Sequence, residues 1–320
     1  MMRSIISILK RSYATSFNKI DNTTGSTEDI YPEYIARLCD ASLSVLHRTH
    51  PLYFLKGPRV THRNLGMVTH QEGSDIYISE CIRRFGIWEP TETDFFLDTL
   101  KTGDTFIDIG ANIGYFSVLA ADLVGPTGSV FSFEPDPRNF GLLELNLALS
   151  KAMHARAIQA AVSDEQVRGN LLRSADNLGD HRLMVTEVAG DSVAVETVRL
   201  DPAMFQPKSG KVVVKMDTQG WEGRIILGNL DTLLHAAHIV FEWSPRWIAE
   251  TGIDPLGPID ALASAGFGLQ VISDSGGGLE PFAPVLAREI LPRLYAGSGS
   301  ADDPMYIDIA ATRGLATPSV

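Results

Sequence analysis

The chain has 320 residues, of which 44% are hydrophobic, and it carries a formal net charge of −12. This composition suits a globular protein with one α/β domain and additional elements, and it excludes a disordered or fibrous chain. The first twenty residues carry positive charges only, so the rest of the chain is more acidic than the whole. An acidic body without a dense Lys and Arg cluster argues against a nucleic-acid partner, and we expect a small-molecule partner instead.

The two cysteines, Cys39 and Cys81, lack the close spacing of a metal knuckle or a disulfide framework. We interpret them as free thiols of a reducing compartment and expect a soluble, cytoplasmic protein. No apolar stretch approaches the ~20 residues that an integral membrane segment needs. The basic segment before Asp21 is compatible with a frayed helix, an organelle transit peptide or a peripheral membrane contact.

An N-terminal extension and cap is predicted over residues 1–90, ahead of a main domain over residues 91–320. The elements predicted for the extension are a helix and two short strands, over Pro32–His50, Leu52–Leu55 and Ile76–Ile78. A further helix is predicted over Glu92–Leu100, next to Pro90, whose fixed φ suits a first helical turn.

From Thr105 onward, strand-like and helical segments alternate, which is typical of a doubly wound α/β fold with a parallel sheet. Strands are predicted at TFIDIG and SVFSFE and then over Ala157–Val162, Lys211–Asp217, Ile239–Trp243, Leu269–Ile272 and Met305–Ala310. Helices are predicted over Asn112–Val124, Pro137–Lys151 and Ile259–Ala265. Residues 168–200 alternate only in part and predict an inserted β-hairpin or meander. We therefore expect a mostly parallel seven-stranded sheet with an inserted β-hairpin and an N-terminal cap.

The loop after the first of these strands reads D-I-G-A-N-I-G, from Asp108 to Gly114. It lacks the G-x-G-x-x-G spacing of a dinucleotide site and the G-K-[ST] of a P-loop, which weakens both as interpretations. A strand-end acid, glycines and an Asn before a helix suit an amino-acid ligand. The acid or nearby carbonyls would meet the ammonium, and amides at the helix N-terminus would favour the carboxylate. The alternative is that Asp108 merely caps the helix.

Glu134 ends the next strand, 26 residues after Asp108. A carboxylate at this position can accept both hydrogen bonds of a ribose diol, unless it faces solvent without a ligand. The two acids together predict a site for an adenosyl amino acid, S-adenosylmethionine. The cofactor-binding residues predicted in this way are Asp108, Gly110, Asn112, Gly114, Glu134, Pro135, Ser163, Asp164 and Asp217.

An ordered series of segments resembles the FkbM family of S-adenosylmethionine-dependent methyltransferases, over roughly Phe85 to Arg313. These segments are GIWEPTET, FIDIGANIGYFS, FSFEPDPRNFGLLELN, AAVSD, NLGDHRL, VRLD, KMDTQGWEGRIILG and FEWSP. DIGANIG with EPD is common to many class I methyltransferases, whereas K-x-D-x-Q/E-G-x-E is more particular to this family. The resemblance implies a Rossmann-like class I methyltransferase fold. It also implies O-methylation of a hydroxyl, on a sugar of a glycan or glycolipid or on a polyketide-type natural product.

Four residues are predicted to take part in catalysis, namely Asp217, His181, Lys215 and Glu242. Methyl transfer to a sugar hydroxyl needs alignment of the acceptor oxygen and assistance by a base or a metal ion. Lys215 and Asp217 share a face of their strand, where a buried lysine needs Asp217 or Glu242 as its partner. A buried ion pair without a chemical role is the alternative. His181 lies in the inserted segment, either as a base that titrates near neutral pH or as a surface residue.

Asp217 and Glu242 could together bind a divalent metal ion, but the lack of further nearby ligands does not favour one. Arg182 is either an anchor for an acceptor carboxylate or phosphate or a surface charge. The aromatic rings of Trp221, Trp243 and Trp247 suit stacking on a sugar or packing in the core.

Two other functions remain open at this point. A catalytically silent scaffold that binds the cofactor is disfavoured by the retained cofactor acids and the KMDTQGWE segment. A nucleic-acid methyltransferase is disfavoured because the N/D-P-P-Y/F motif is missing after the fourth strand. The sequence is compatible with an oligomer.

Overall fold

The computed structural model describes residues 53–54, 65–70, 75, 77–174, 178–184, 190–207, 209–273, 278–297 and 305–315. The basic N-terminal segment, the predicted helix Pro32–His50 and Cys39 lie outside these residues. Residues 43–320 form a compact unit of their own, and the elements that follow belong to it. The predicted domain boundary at residue 91 stays a prediction.

The described strands fall into a large sheet, a small sheet and one short pair. They are β1 (Tyr53–Phe54), β2 (Gly66–Met67), β3 (Thr105–Ile109), β4 (Ser129–Phe133), β5 (Ala155–Ile158), β6 (Ala161–Val162), β7 (Arg168–Leu172), β8 (Arg182–Met184), β9 (Ser192–Val198), β10 (Val212–Met216), β11 (His238–Trp243), β12 (Phe267–Ser273), β13 (Gly278–Phe282) and β14 (Ile307–Arg313).

The described helices flank the large sheet. They are α1 (Ile78–Phe85), α2 (Pro90–Thr99), α3 (Tyr115–Val124), α4 (Pro137–Leu149), α5 (Glu222–Gly228), α6 (Leu230–Leu233), α7 (Pro245–Glu250), α8 (Gly257–Ser264) and α9 (Pro284–Ala296), with a 3-10 turn at Pro202–Phe205. None of the helices in this part of the chain has the length and apolar character needed to cross a bilayer.

The large sheet has eight strands in the order β13-β12-β14-β11-β10-β3-β4-β5. Neighbouring strands from β11 to β5 run parallel, whereas β14 is antiparallel to both β11 and β12. This arrangement confirms the predicted doubly wound, mostly parallel α/β fold. The expected count of seven strands is wrong because β13 adds an edge strand next to β12. Its sequence GLEPF contains Pro281, and an edge strand tolerates proline because one of its sides needs no hydrogen-bond donor.

The small sheet has the order β6-β9-β7-β8 and contains the inserted segment. β7 and β8 form an antiparallel hairpin, which is one of the two predicted forms of the insert. β9 pairs antiparallel with the other edge of β7 and parallel with β6, so the three strands of the insert are not a meander. The single strand predicted over Ala157–Val162 is therefore two strands. Its first half, β5, belongs to the large sheet, and its second half, β6, leads the chain into the small sheet.

The two faces of the large sheet bury separate apolar clusters. All five residues of both β3 and β10 are buried, as expected for central parallel strands. Because successive side chains alternate, Ile107 packs on one face and Phe106 packs on the other. Phe96 of α2 meets the ring of Phe106 edge to face at 5.2 Å. The face that carries Phe106 is therefore the one that α2 covers, and Asp108, two residues further on, lies on it as well.

Two predicted elements differ from the structure near the site. The strand predicted over Ile76–Ile78 is wrong at its last residue, because Ile78 begins α1 and packs with Ile82 one turn later. The helix predicted from Asn112 begins only at Tyr115. The intervening loop has left-handed backbone conformations at Asn112 and Gly114, which a helix cannot contain.

Candidate active site

A cleft opens beyond the carboxyl ends of β10, β3 and β4, where a doubly wound sheet normally binds its ligands. The space between its atoms amounts to about 850 Å³, including the part open to solvent. Eight of the residues predicted from the sequence line it, namely Asp108, Gly110, Asn112, Glu134, Pro135, His181, Lys215 and Asp217. The tertiary structure thus brings together residues from four separate segments of the chain.

The loop from Gly110 to Gly114 is shaped by positions that only glycine satisfies. Gly110 has φ +85°, and a Cβ atom there would lie 1.9 Å from the carbonyl oxygen of Asp217. Gly114 has φ +90°, and its Cβ would lie 2.7 Å from Leu143. These glycines let the loop pass close to the end of β10 and to Leu143 in the middle of α4.

The amides of this loop are used within the protein. Those of Gly110 and Ala111 donate to Phe133 O, and that of Asn112 donates to Glu134 Oε2. The amides of Ile113 and Gly114 donate to oxygens of the loop itself. The amides from Asn112 to Gly114, where the sequence placed the helix N-terminus that would favour the cofactor carboxylate, are therefore engaged within the protein, and the helix itself begins at Tyr115.

Asp108 is buried and accepts a 2.6 Å hydrogen bond from the Ser117 hydroxyl in the first turn of α3. The hydroxyls of Ser117 and Ser132 lie 2.8 Å apart, which extends the polar network to β4. Burial raises the pKa of Asp108 to about 6, against the opposing effect of the Lys215 charge. A carboxyl group at this strand end that lines the cleft suits the ammonium of an amino-acid ligand, because a positive charge nearby favours its ionised form.

Glu134 is held by two backbone amides. Its Oε2 accepts from Asn112 N at 2.9 Å, and its Oε1 accepts from Asp136 N at 2.8 Å. Each oxygen keeps a further lone pair, so a fixed carboxyl group of this kind fits a ribose diol. Burial raises the pKa of Glu134 to about 8, although both amides oppose this shift.

We expect the Glu134→Gln substitution to reduce the pH dependence of stability. Because the pKa of Glu134 rises from its usual 4.5 to about 8 on folding, the folded protein retains a proton that the unfolded chain releases. This contribution to stability is full below about pH 4.5 and is lost as the pH rises toward about 8. The Gln variant loses one amide contact, about 1 kcal/mol, but it does not titrate. Thermal unfolding at pH 5.5 and pH 8 measures the effect, and a slope equal to that of the wild type would contradict it.

The small sheet lies against the cleft through several polar contacts. The carbonyl oxygen of Leu178 accepts from Asn112 Nδ2 at 3.1 Å and from Asn139 Nδ2 at 3.0 Å. Arg173 Nε donates to Asp136 Oδ2 at 2.5 Å, and the Asp136 side chain is completely buried at the N-terminus of α4. Burial alone would raise the pKa of Asp136, but the Arg173 hydrogen bond and the helix amides lower it below its usual value.

We expect Arg173→Met to lower the free energy of unfolding by about 2 kcal/mol, because it removes a charged hydrogen bond from a buried carboxylate. Arg138 provides a matched control. Its Nε lies 3.4 Å from Asp136 Oδ1 and its side chain is 44% exposed, so Arg138→Met should cost less than about 1 kcal/mol. Denaturant unfolding of both variants measures the difference. Equal losses would mean that Arg173 holds the small sheet no more firmly than a surface charge does.

His181 lines the cleft, but its nitrogens are directed into the protein. Nδ1 accepts a hydrogen bond from Ser174 N at 3.2 Å, so the proton of the neutral ring resides on Nε2. Nε2 is buried and lies 4.0 Å from Asp136 Oδ2. Burial lowers the pKa of His181 to about 4, so the ring is neutral at pH 7. Since neither nitrogen presents a lone pair to the cleft, the geometry does not support His181 as the base, and the ring forms part of the wall.

Lys215 lies at the centre of a group of carboxyl groups. Its Nζ is 3.4 Å from Asp217 Oδ2, 3.4 Å from Glu92 Oε2 and 3.7 Å from Glu89 Oε2. It also lies 4.7 Å above the ring of Phe116. Burial alone would lower the pKa of Lys215, but the carboxyl groups of Glu92, Asp217, Glu89 and Asp108 raise it well above its usual value. Lys215 is therefore a cation and cannot act as a base.

Asp217 is the predicted partner of Lys215 that the structure places beside it. Glu242, the other predicted partner, does not line the cleft and lies on β11 opposite Asp308 of β14. Its Oε1 atom is buried, and burial raises the pKa of Glu242 well above its usual value. The predicted catalytic role of Glu242 in contact with an acceptor therefore lacks support in the geometry.

Three predicted cofactor residues also lie outside the lining of the cleft, namely Gly114, Ser163 and Asp164. Ser163 Oγ accepts from Trp221 Nε1 at 3.0 Å and donates to Asp164 Oδ1 at 2.8 Å. Asp164 pairs with Arg224 of α5 at 2.8 Å. Ser163 and Asp164 therefore connect the start of α5 to the end of β6 in the small sheet.

The tryptophans are divided between the core and the margin of the site. Trp243 is completely buried, and Trp247 lies under the guanidinium of Arg182 at 3.8 Å. Because Trp247 belongs to α7, this contact links Arg182 of the small sheet to that helix. Arg182 also pairs with Asp180 at 3.1 Å. Trp221 lines the cleft, as does Trp88, which the sequence interpretation did not include.

Glu89 and Glu92 were also missed, although both belong to the segment GIWEPTET that the resemblance includes. Their spacing of three residues at a helix start is the signal that could have paired them on one face. Among the residues that the structure describes, no group of three or more His, Cys, Asp or Glu side chains has an arrangement suited to a metal ion.

Two sequence comparisons relate the chain to a known family. The family model described as "Methyltransferase FkbM domain" matches residues 108–269, about half of the chain. The 31-O-demethyl-FK506 methyltransferase FkbM of Streptomyces tacrolimicus is 36% identical over 202 residues, which cover 54% of this chain and 72% of that protein.

Solved structures are less similar to the chain in sequence. The methyltransferase FkbM of Methylobacillus flagellatus is 12% identical, with a TM-score of 0.35 and coverage of 56% of this chain and 46% of its own. An S-adenosylmethionine-dependent O-methyltransferase of Thermotoga maritima is 15% identical, with a TM-score of 0.37 and coverage of 75% and 71%. The family assignment rests on the two sequence matches. The chain belongs to the FkbM family of methyltransferases, and its cofactor is S-adenosylmethionine.

Proposed function

We propose that the protein methylates a hydroxyl oxygen of a sugar or natural-product acceptor and that Asp217 accepts the hydroxyl proton. The observation that carries this proposal is the position of Asp217. Its side chain is 26% exposed and lines the same cleft as Asp108 and Glu134. Among the four residues predicted to be catalytic, Asp217 alone combines access to the cleft with an accepting group.

The cofactor supplies an electrophilic methyl group on a sulfonium, and the protein must align an acceptor oxygen with it. The residues that would hold the cofactor are Asp108 at its amino-acid end and Glu134 at its ribose. Asp217 is oriented by two donors, since Gln219 Nε2 donates to Oδ1 at 2.9 Å and Lys215 Nζ donates to Oδ2 at 3.4 Å. Gln219 has a left-handed backbone with φ +55°, a strained conformation of the kind often found at functional sites.

The curated relative supports the choice of oxygen as the methylated atom. It is named as a methyltransferase of 31-O-demethyl-FK506, which indicates an oxygen as its acceptor. The acidic body of the chain agrees with an acceptor that is not a nucleic acid. Trp88 and Trp221 provide aromatic surface in the cleft, which suits the apolar face of a sugar or macrocyclic ring.

A transfer assay tests the proposal. The full-length protein is incubated with S-adenosylmethionine labelled in its methyl group and with a panel of hydroxylated sugars and macrocyclic natural products. Mass spectrometry should then locate the label on an oxygen, as a methyl ether that survives mild base. Excess S-adenosylhomocysteine, which competes for the cofactor site, should suppress the product. Cofactor binding without transfer to any acceptor would favour a silent binding protein, and label on nitrogen or carbon would contradict O-methylation.

A further inference from the structure

Glu92 and Asp217 both contact the Lys215 ammonium. Each carboxyl group lies 3.4 Å from Lys215 Nζ, and the two come from different elements, Glu92 from α2 and Asp217 from the end of β10. Glu92 is 4% exposed, and its Oε2 accepts no hydrogen bond from any residue that the structure describes. The charge of this oxygen is therefore balanced by Lys215 rather than by solvent.

Glu89, the third carboxyl group near Lys215, lies farther from the ammonium. Its Oε2 is 3.7 Å from Lys215 Nζ, against 3.4 Å for Glu92 and Asp217, and its side chain is 30% exposed. Burial raises the pKa of both Glu89 and Glu92, against the opposing charge of Lys215. Glu92 and Asp217 are therefore the two nearest carboxyl groups of Lys215.

The N-terminus of α2 is anchored by uncharged contacts as well. The Thr93 hydroxyl donates to Trp88 O at 2.7 Å and lies 3.1 Å from the Tyr115 hydroxyl of α3. Phe96 packs on Phe106 and Phe116. These contacts hold α2 against the sheet without Glu92, so an uncharged side chain at position 92 is compatible with the fold.

We propose that Glu92 is a positioning residue for methyl transfer, which shares the Lys215 ammonium with Asp217 and so preserves the ability of Asp217 to accept a proton. The inference rests on the proposed role of Asp217 as the base. Coulomb interactions add pairwise, so the negative charge of Glu92, in contact with the same ammonium, offsets part of the attraction that Lys215 exerts on Asp217. Without the charge of Glu92 this attraction would be less opposed, and Asp217 would be a weaker base.

The remaining titratable groups near Asp217 do not replace Lys215. They are acids or a phenol, from β3, α5, β11 and the segment at the start of β14, namely Asp108, Glu222, Glu242 and Tyr306. Asp308 of β14 lies near this group through Glu242. None of them carries a positive charge, so none of them can take the place of Lys215 beside Asp217.

The test compares pH–rate profiles of the wild type, Glu92→Gln and Glu92→Asp. In Glu92→Gln we expect the acid limb of kcat/KM to move to lower pH by about one unit, with a plateau several-fold lower because the base is weaker. Glu92→Asp keeps the charge at a greater distance and should shift the limb less, in the same direction. Asp98→Asn, an exposed change on the same helix, should leave the profile unchanged. Calorimetry should give a Kd for S-adenosylhomocysteine within about twofold of the wild type in each variant.

The outcomes separate this inference from the proposed function. A uniform loss of rate in Glu92→Gln with an unmoved limb would show that Glu92 is merely structural, and a shift to higher pH would reverse the argument. Either result overturns the inference while Asp217 remains the base. Full activity of Asp217→Asn would instead overturn the proposed function, and the inference with it. In the slow Asp217→Asn background, adding Glu92→Gln should cause no further loss of the residual rate.

Discussion

Asp217→Asn is expected to lower kcat by 10²–10⁴-fold, the usual contribution of a general base. Asparagine keeps the size of the side chain and its contact with Gln219, but it cannot accept the hydroxyl proton. Asp217 was also predicted from the sequence to bind the cofactor, but as the base it acts on the acceptor. The Kd for S-adenosylhomocysteine should therefore stay within about twofold, because Asp108 and Glu134 are unchanged. Steady-state kinetics with an identified acceptor, together with calorimetry, measure both quantities.

Asp164→Asn is the matched control for this variant. Asp164 is also a strand-end acid that was predicted to act in the site, but it pairs with Arg224 outside the cleft. Its substitution should leave kcat within a few-fold of the wild type and cost only stability. If Asp164→Asn loses as much activity as Asp217→Asn, or if Asp217→Asn remains fully active, the assignment of Asp217 as the base fails.

Gly110→Ala is expected to abolish measurable cofactor binding and to lower the free energy of unfolding by roughly 3 kcal/mol. The added Cβ would lie 1.9 Å from Asp217 O and 2.9 Å from Asp217 C, so the loop and the end of β10 must separate. The left-handed φ of +85° adds a conformational cost of about 1 kcal/mol. The movement would displace the cofactor loop and Asp217 together. Calorimetry with S-adenosylhomocysteine and thermal unfolding measure the two effects.

Gly252 offers a control for the conformational cost alone. It has φ +83°, close to that of Gly110, but a Cβ there would meet nothing within 4 Å. Gly252→Ala should therefore cost only about 1 kcal/mol and leave cofactor binding intact. Similar losses in the two variants would show that the close approach of the Gly110 loop to β10 is unimportant for the site.

The cofactor half of the site was predictable because its residues follow from local rules. The carboxyl ends of neighbouring parallel strands meet at one edge of a sheet, and β3 and β4 are neighbours. An acid at the end of each, Asp108 and Glu134, therefore had to lie at the same edge. The spacing of Gly110 and Gly114 predicted a loop that needs glycine, and both positions have positive φ.

The acceptor half was only partly predictable. Lys215 and Asp217 share a strand face, which follows directly from their spacing of two residues. That face also carries Phe106 and Val213, and α2 covers it. Glu92 reaches Lys215 for this reason, across more than 120 residues of chain. Sequence spacing contains no information about which helix covers which face, so the pairing with Glu92 could not be predicted.

The orientation of single side chains was the least predictable property. His181 lies in the cleft wall as expected from its segment, but a hydrogen bond from Ser174 fixes its tautomer and Asp136 faces its other nitrogen. Glu242 ends a strand next to β10, yet it lies toward Asp308 of an antiparallel strand that the sequence did not place beside it. Such outcomes depend on contacts of a few ångströms between distant segments.

The sequence by itself therefore determined the class of fold and the identity of the cofactor, because strand periodicity, glycine spacing and strand-end acids are local features. It also indicated the family, through the resemblance of an ordered series of segments. Only the tertiary structure decided how the buried charges are shared. One lysine faces Asp217, Glu92 and Glu89, and the energy of each pair depends on distance and burial, which are set by packing. For this reason the loop at Asp108 could be recognised from sequence, whereas the group around Lys215 required the folded chain.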